Sequence, residues 1–146
     1  MGIYEGAVQT LKDAISETAS FWDSVKLTPK EDVYVLLSKF QREFGDLKGA
    51  LSSLESALER NADDPWLIND LATEYADQGV RLERAVSLID RALKYQPENP
   101  LFLDTKGWVL FKLGRREDAK ATLERCLELF PDYQDAREHF QAVSGA

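Results

Sequence analysis

The sequence has only one cysteine and one histidine in 146 residues, and this scarcity excludes several kinds of site. A single cysteine cannot form an intramolecular disulfide, and a single histidine cannot form a histidine cluster around zinc. No CxxC or HExxH spacing, glycine-rich phosphate loop or GxSxG motif is present. The sequence therefore offers no metal ligand set, cofactor site or catalytic residue, and we expect a protein that is not an enzyme.

Basic charge and long apolar runs are also scarce. Acidic residues number 26 against 18 basic residues, a formal net charge of -8 that would repel a phosphate backbone. The apolar run at residues 33–37 is far too short to span a bilayer, and the first residues lack a basic-then-apolar signal pattern. We expect no nucleic-acid partner and no membrane insertion, and a soluble segment for which cytoplasm and periplasm both stay open.

What the sequence does contain is a repeat about one helical hairpin long. Gly45, Gly79 and Gly114 recur at intervals of 34 and 35 residues, each after an apolar-periodic stretch. The small and aliphatic residues that keep the same interval are Ala50, Ala85 and Ala119; Leu54, Ile89 and Leu123; and Ala57, Ala92 and Cys126. Cys126 thus occupies a small-residue core position, and packing explains it better than reactivity.

Helix-start patterns precede each stretch. A capping residue stands before a proline at Thr28-Pro29, Asp64-Pro65 and Asn99-Pro100. Thr28 with Glu31 also matches a capping box. These patterns predict first helices at residues 29–44, 65–78 and 100–113, and second helices at residues 47–61, 81–95 and 116–130. No alternating pattern typical of a strand is found, so we expect an all-α fold of three antiparallel hairpins.

Both ends carry one additional helix. Residues 3–23 repeat the spacing of a second helix without its first helix, and a loop is expected at residues 24–27. We interpret this orphan helix as part of a longer array from which the segment was taken. At the other end, Asp132 is expected to cap an amphipathic helix at residues 132–144 that covers the open end of the last hairpin. His139 lies in this helix, where we expect a surface or capping position.

The hairpins resemble the tetratricopeptide repeat family, whose pattern is W-x2-L-G-x2-Y, then A-x3-F, then P. The middle hairpin matches at Ile68, Leu71, Ala72, Tyr75, Ala85, Ile89 and Pro97. The last matches at Leu103, Gly107, Leu110, Ala119, Leu123 and Pro131, with a departure at Lys106, and the first departs at Gln41 and Ala62. Residues 75–85, 99–100 and 107–109 are also similar to bacterial tetratricopeptide proteins associated with envelope and exopolysaccharide export systems.

The resemblance implies a right-handed α–α superhelix, a single solenoid domain over residues 1–146. Its repeats would span residues 29–62, 65–98 and 100–131, between the orphan helix and the capping helix. In this family the first helices line a concave groove that holds a peptide or protein, so the expected function is a non-catalytic protein-interaction module. The groove residues that the resemblance implies are Val35, Lys39, Arg42, Trp66, Asn69, Asp70, Thr73, Asp77, Leu101, Asp104, Trp108, Phe111 and Lys112.

The chemistry of these residues suggests a kind of partner. Trp66, Trp108 and Phe111 are candidate apolar anchors, and the three aspartates of the set favour a basic or amphipathic partner. The alternative interpretation is that the aromatic residues pack between hairpins and the aspartates are only solvated. Capture of a peptide carboxylate, as in chaperone-binding members, is disfavoured because only Lys39 among the corresponding positions could assist it.

Self-association is the alternative function. The orphan helix carries apolar residues that would lack a covering neighbour and could form a homodimer that acts as an assembly scaffold. The residues concerned are Val8, Leu11, Ile15, Phe21 and Trp22.

Overall fold

The structure, a computed structural model, describes the backbone of residues 2–25 and 33–145, and the side chains of residues 2–17 and 33–145. Within these residues the fold is all-α, with eight helices and no strand. The helices are α1 (Gly2–Val25), α2 (Val33–Glu43), α3 (Leu47–Arg60), α4 (Pro65–Gln78), α5 (Leu82–Tyr95), α6 (Pro100–Lys112), α7 (Arg116–Leu129) and α8 (Gln134–Ser144). The chain divides into two compact units, unit 1 at Met1–Asn61 and unit 2 at Ala62–Ala146. No helix in the described ranges is long and apolar enough to cross a membrane.

The glycine turns close the hairpins as predicted. Gly45, Gly79 and Gly114 have φ angles of 80°, 67° and 85°, in the left-handed region that only glycine adopts without strain. After Gly79, the N–H of Val80 donates to the carbonyl of Tyr75 at 2.9 Å, and the same pattern recurs at the other two turns. These bonds satisfy the last carbonyl groups of each first helix and direct the chain into the second helix.

The predicted caps of α4 and α6 are confirmed. Asp64 Oδ1 accepts hydrogen bonds from two backbone N–H groups at 2.9 and 3.3 Å, and Asn99 Oδ1 does the same at 3.0 and 3.4 Å. A proline occupies the first turn in both helices. Helices α4 and α6 therefore begin at equivalent positions of the repeat, which places corresponding residues of the two helices at the same height.

In unit 1, α1 packs against α2 through aromatic rings. Tyr4 stacks on Phe40 and Phe44, with ring centroids 5.8 and 5.4 Å apart. Its hydroxyl donates to Asp46 Oδ2 at 2.8 Å, and Asp46 Oδ1 also accepts the backbone N–H of Gly49 at the start of α3. Burial, and then this hydrogen bond, raise the pKa of Tyr4 to about 12. The same two hydrogen bonds lower the pKa of Asp46.

In unit 2, the hairpins α4–α5 and α6–α7 pack together, and α8 packs on α6 and α7. The small and aliphatic residues at the repeating positions of α5 and α7 are fully buried: Ala85, Ile89, Ala92, Ala119, Leu123 and Cys126. Gly107 in α6 faces Leu123 so closely that a Cβ atom there would lie 2.5 Å from Leu123 Cγ. The core of unit 2 therefore depends on close approach of α6 and α7 at this glycine.

Three expectations for the ends need correction. Asp132 does not cap α8, because the N-cap residue is Tyr133 and Asp132 pairs instead with the Arg137 guanidinium at 2.9 Å. The loop expected from residue 24 does not begin there, since α1 continues to Val25 in a stretch with no glycine or proline to end it. Ile15 is buried, so it is not part of an exposed apolar strip on α1.

Some expectations fall elsewhere in the chain. The Thr28–Glu31 capping box, the start of the helix expected at residue 29 and the remainder of the loop lie outside the described residues. The side chains of Phe21 and Trp22 lie outside them as well.

Candidate functional site

The first helices of unit 2 present one stripe of polar and aromatic residues. On α4 the stripe is Trp66, Asp70, Thr73 and Asp77, at the spacing that keeps residues on one side of a helix. The stripe pairs with α6, because Thr73 Oγ1 lies 3.4 Å from Thr105 Oγ1. Helix α6 also contacts α8. We name this surface the α4–α6–α8 face, defined by Trp66, Thr73, Asp77, Trp108, Lys112 and His139.

Trp66 is the most exposed aromatic residue of this face, with 51% of its surface accessible. Its ring meets the fully buried ring of Phe102 edge-on, at a centroid distance of 5.2 Å and an angle of 63°. The buried ring supports the indole on one side and leaves the remainder exposed to solvent. Large, partly supported aromatic rings of this kind are typical of interface hot spots.

Trp108 is held by contacts from both neighbouring helices. Its Nε1–H donates to Asp77 Oδ1 on α4 at 3.3 Å, and the His139 ring from α8 stacks on the indole at a centroid distance of 4.4 Å. Lys112 Nζ lies 4.7 Å from the centre of the indole, and Phe111 packs at 5.5 Å. The indole is therefore held in one position before any partner binds.

Asp104 and His139 form a pair that the sequence did not reveal. Asp104 is 4% exposed, and its Oδ1 lies 2.8 Å from His139 Nδ1. The hydrogen bond to Asp104 is the largest influence on the imidazole and raises its pKa, against the opposing effect of burial. We expected Asp104 to be offered to a ligand and His139 to be a surface or capping residue. Instead, the carboxylate is buried and partnered by the histidine.

Cys126 lies close to this pair and has no nucleophilic character. Burial, and then the charge of Asp104, raise the pKa of its thiol to about 11, so the thiol stays protonated at neutral pH. Its Sγ lies 3.5 Å from the carbonyl oxygen of Pro100, to which it donates. The packing role predicted for Cys126 is confirmed by its complete burial.

The remaining predicted groove residues have different environments. Asn69 is buried, and within the described residues its Oδ1 has no hydrogen-bond partner. Asp70 is exposed and Leu101 is half-buried. The three residues on α2 belong to unit 1, where Val35 is half-buried and Lys39 and Arg42 are exposed. The described residues contain no group of three or more His, Cys, Asp or Glu side chains that could hold a metal ion.

The apolar residues expected to support self-association are less exposed than the sequence suggested. Val8 and Leu11 are half-buried and Ile15 is buried. The exposed large apolar residues described in unit 1 are instead Ile3, Leu36, Phe44 and Leu47, of which Ile3 and Phe44 are the most accessible, at 93% and 60%.

Comparison with known proteins identifies a repeat in the last hairpin. The tetratricopeptide repeat family model matches residues 100–133, which include α6 and α7. A TPR repeat-containing protein of Pseudomonas aeruginosa is 30% identical over 108 residues, 73% of this chain and 18% of that protein. Cellulose synthase operon protein C of Pseudomonas fluorescens is 34% identical over 117 residues, 79% of this chain and 9% of that protein. The chain thus spans less than a fifth of the length of these two relatives.

Solved structures agree on the fold. The second TPR domain of the human RPAP3 protein, in complex with HSP70 peptide SGPTIEEVD, superposes with a TM-score of 0.66 at 16% identity, covering 77% of this chain and 93% of that domain. The chain thus has the fold of a tetratricopeptide repeat domain, and residues 100–133 match the repeat family itself. The similarity to cellulose synthase operon protein C also confirms the likeness to bacterial exopolysaccharide-associated members.

Proposed function

We propose that the chain is a non-catalytic interaction module that binds a peptide or protein segment on the α4–α6–α8 face. The observation that carries this proposal is the pair of indoles on adjacent helices. Trp66 is half exposed and supported by Phe102, and Trp108 is fixed by Asp77 and His139. Preorganised aromatic residues supply contact area at a small entropic cost, because few rotamers remain to be fixed on binding.

Charge favours a partner that carries basic residues beside its apolar ones. Asp77 on the face and Asp70 in the adjoining α4 stripe are both exposed, and Lys112 contributes one cation to the face. The net charge of the chain, -8, adds a long-range attraction for cations. The human RPAP3 domain is in complex with a peptide that ends in Glu-Glu-Val-Asp. The α4–α6–α8 face has the opposite charge preference, so we propose a basic or amphipathic segment as its partner.

Peptide selection on the full chain tests this proposal. A library of random twelve-residue peptides is selected on the immobilised protein, and the enriched peptides are measured by calorimetry. We expect enrichment of peptides that combine aromatic or aliphatic residues with Lys or Arg. Trp66→Ala should weaken their binding about tenfold or more, because it removes a supported aromatic contact.

Tyr95→Ala is the matched control. Tyr95 is 57% exposed, close to the value for Trp66, but it lies at the end of α5, outside the face. It should leave the affinity unchanged. Equal affinities for the wild type and Trp66→Ala would exclude Trp66 from the binding site, and a library that yields no saturable binder would remove the proposed function.

Self-association through unit 1 is the second candidate function. Ile3 and Phe44 favour it, since both are large apolar residues with most of their surface exposed. Light scattering of the wild type and of Phe44→Ser over a hundredfold range of concentration separates the possibilities. A mass that rises with concentration only in the wild type supports self-association, and a constant monomer mass excludes it.

A further inference from the structure

Asp104 is a buried carboxylate whose described hydrogen-bond partner comes from a different helix. Its side chain is 6% exposed, and His139 on α8 approaches it at 2.8 Å. A buried carboxylate without a donor is strongly disfavoured, because it loses hydration and gains nothing in return. The docking of α8 therefore supplies α6 with the partner that its buried charge requires.

The same imidazole also contacts the indole of the proposed binding face. Trp108 follows Asp104 by one helical turn on α6, and His139 stacks on it with an angle of 19° between the rings. One side chain of α8 thus contacts the buried carboxylate with its nitrogen and the indole with its ring. Both contacts therefore depend on the same position of α8.

Several charged and titratable groups surround this imidazole. The charges that act on the imidazole are Asp104 on α6, Asp77 on α4 and Asp135 on α8. Lys112 lies over the same indole, and Tyr133 and Cys126 interact with Asp104. Arg116 on α7 binds the carbonyl groups of Val143 and Gly145 at the end of α8. The three aspartates all favour the protonated imidazole. A protonated ring also interacts more favourably with the indole face, through a cation–π contact.

We propose that His139 is a positioning residue for Trp108, and that its protonation holds α8 on α6 and keeps the indole in its binding position. The predicted effect of His139 on peptide binding rests on the proposed function. The predicted effect of His139 on the docking of α8 does not. When the imidazole loses its proton, the charge-assisted hydrogen bond to Asp104 becomes a neutral one and the cation–π contact disappears. The indole and α8 then become more mobile, and the face binds its peptide less tightly.

The sign of the pH dependence follows from the raised pKa of His139. A group whose pKa is higher in the folded state contributes stability that is fully present below its unfolded pKa, about 6.5. That contribution is lost as the pH rises through the folded pKa. The docking of α8 should therefore weaken as the pH rises through the folded pKa of His139.

Nuclear magnetic resonance of the full chain tests the proposal without any ligand. His139 is the single histidine of the sequence, so its imidazole signals need no assignment between residues. We expect a titration midpoint above 6.5 in the wild type and a return towards 6.5 in Asp104→Asn. Amide exchange in α8, corrected for intrinsic rates, should increase about fivefold to tenfold through the wild-type midpoint, because one charged hydrogen bond is weakened.

Two variants on α8 make the test specific. His139→Gln can donate to Asp104 but does not titrate. Amide exchange in α8 of this variant should therefore show no increase through the pH of the wild-type midpoint. Gln141→Ala, an exposed substitution on the same helix, should keep the wild-type step. A flat exchange profile in the wild type, or the same step in His139→Gln, would overturn the proposal.

Peptide binding provides the second readout. For a peptide selected below the measured titration midpoint of His139, the affinity of the wild type should fall about fivefold to tenfold once the pH is above that midpoint, and the affinity of His139→Gln should stay constant. If no peptide binds at any pH, the proposed function fails while the exchange experiment still decides the role of His139. If a peptide binds with the same pH dependence in both proteins, His139 does not position the indole.

Discussion

Substitution of Gly107 by alanine tests the packing of unit 2 at its closest helix contact. A Cβ atom at this position would lie 2.5, 2.7 and 3.1 Å from three carbon atoms of Leu123. Ordinary contacts between carbon atoms are about 3.5–4.0 Å, so the shortest of these distances is too short by about 1.0–1.5 Å. Leu123 is fully buried, and buried side chains are packed too densely to move aside without cost.

The expected magnitude combines two opposing effects. Overpacking of a dense core costs about 1–3 kcal/mol, and the size of this overlap places Gly107→Ala in the upper part of that range. Alanine in place of glycine inside a helix contributes about 1 kcal/mol in the opposite direction. We therefore expect Gly107→Ala to lower the free energy of unfolding by about 1–2 kcal/mol.

A double-mutant cycle with Leu123→Ala isolates the cause. Leu123→Ala alone should cost about 2–5 kcal/mol, because it leaves a cavity in the core. In that background Gly107→Ala no longer meets the Leu123 Cγ and Cδ atoms and should become stabilising by about 1 kcal/mol. The coupling free energy between the two positions would then be about 2–3 kcal/mol.

Urea denaturation followed by circular dichroism gives the four free energies of unfolding. Gly6→Ala in α1 is the control, since a Cβ atom there meets nothing within 4 Å and the substitution should be neutral or stabilising. A Gly107→Ala variant as stable as the wild type, or one with the same cost in both backgrounds, would refute the reasoning.

Two further predictions concern local structure. Gly79→Ala should destabilise unit 2 by about 1–2 kcal/mol in urea denaturation, because the φ angle of 67° is unfavourable for any residue with a Cβ atom. The lowered pKa of Asp46 means that its contribution to stability is present above its unfolded pKa, about 4, and is lost as the pH falls through the folded value. Tyr4→Phe removes the principal hydrogen bond to this carboxylate, so its free energy of unfolding should depend less on pH between 5 and 2.5 than that of the wild type. An unchanged pH dependence in Tyr4→Phe would contradict this assignment.

The features that the sequence predicted correctly are local ones. The caps at Asp64 and Asn99 and the turns at the three glycines depend on a few adjacent residues, whose conformational preferences hold wherever the segment folds. The buried residues of α5 and α7 could be predicted because small and aliphatic residues recur at the same positions in each hairpin. Asp132 failed as a cap although it is a suitable residue type, because Tyr133 occupies the N-cap position and the carboxylate instead pairs with Arg137.

The features that the sequence could not supply depend on contacts between distant residues. Asp104 and His139 are 35 residues apart, and their pairing requires α8 to pack on α6. The helical spacing of the sequence shows which side of α6 carries Asp104. It does not show whether that side is exposed to solvent or buried by another helix. The contact between Trp108 and Asp77 is equally remote in sequence. The only hint of this pairing in the sequence was that His139, the single histidine, lies on the last helix one turn away from an apolar residue.

The most direct test of the binding face is a peptide titration followed through the indole N–H signals of the three tryptophans. Substitution of each tryptophan by phenylalanine assigns these signals, and backbone amide signals are recorded in the same spectra. We predict that a selected basic or amphipathic peptide shifts the signals of Trp66 and Trp108 together with amides of α4, α6 and α8. Saturable binding with shifts confined to α5, α7 or unit 1 would contradict the account.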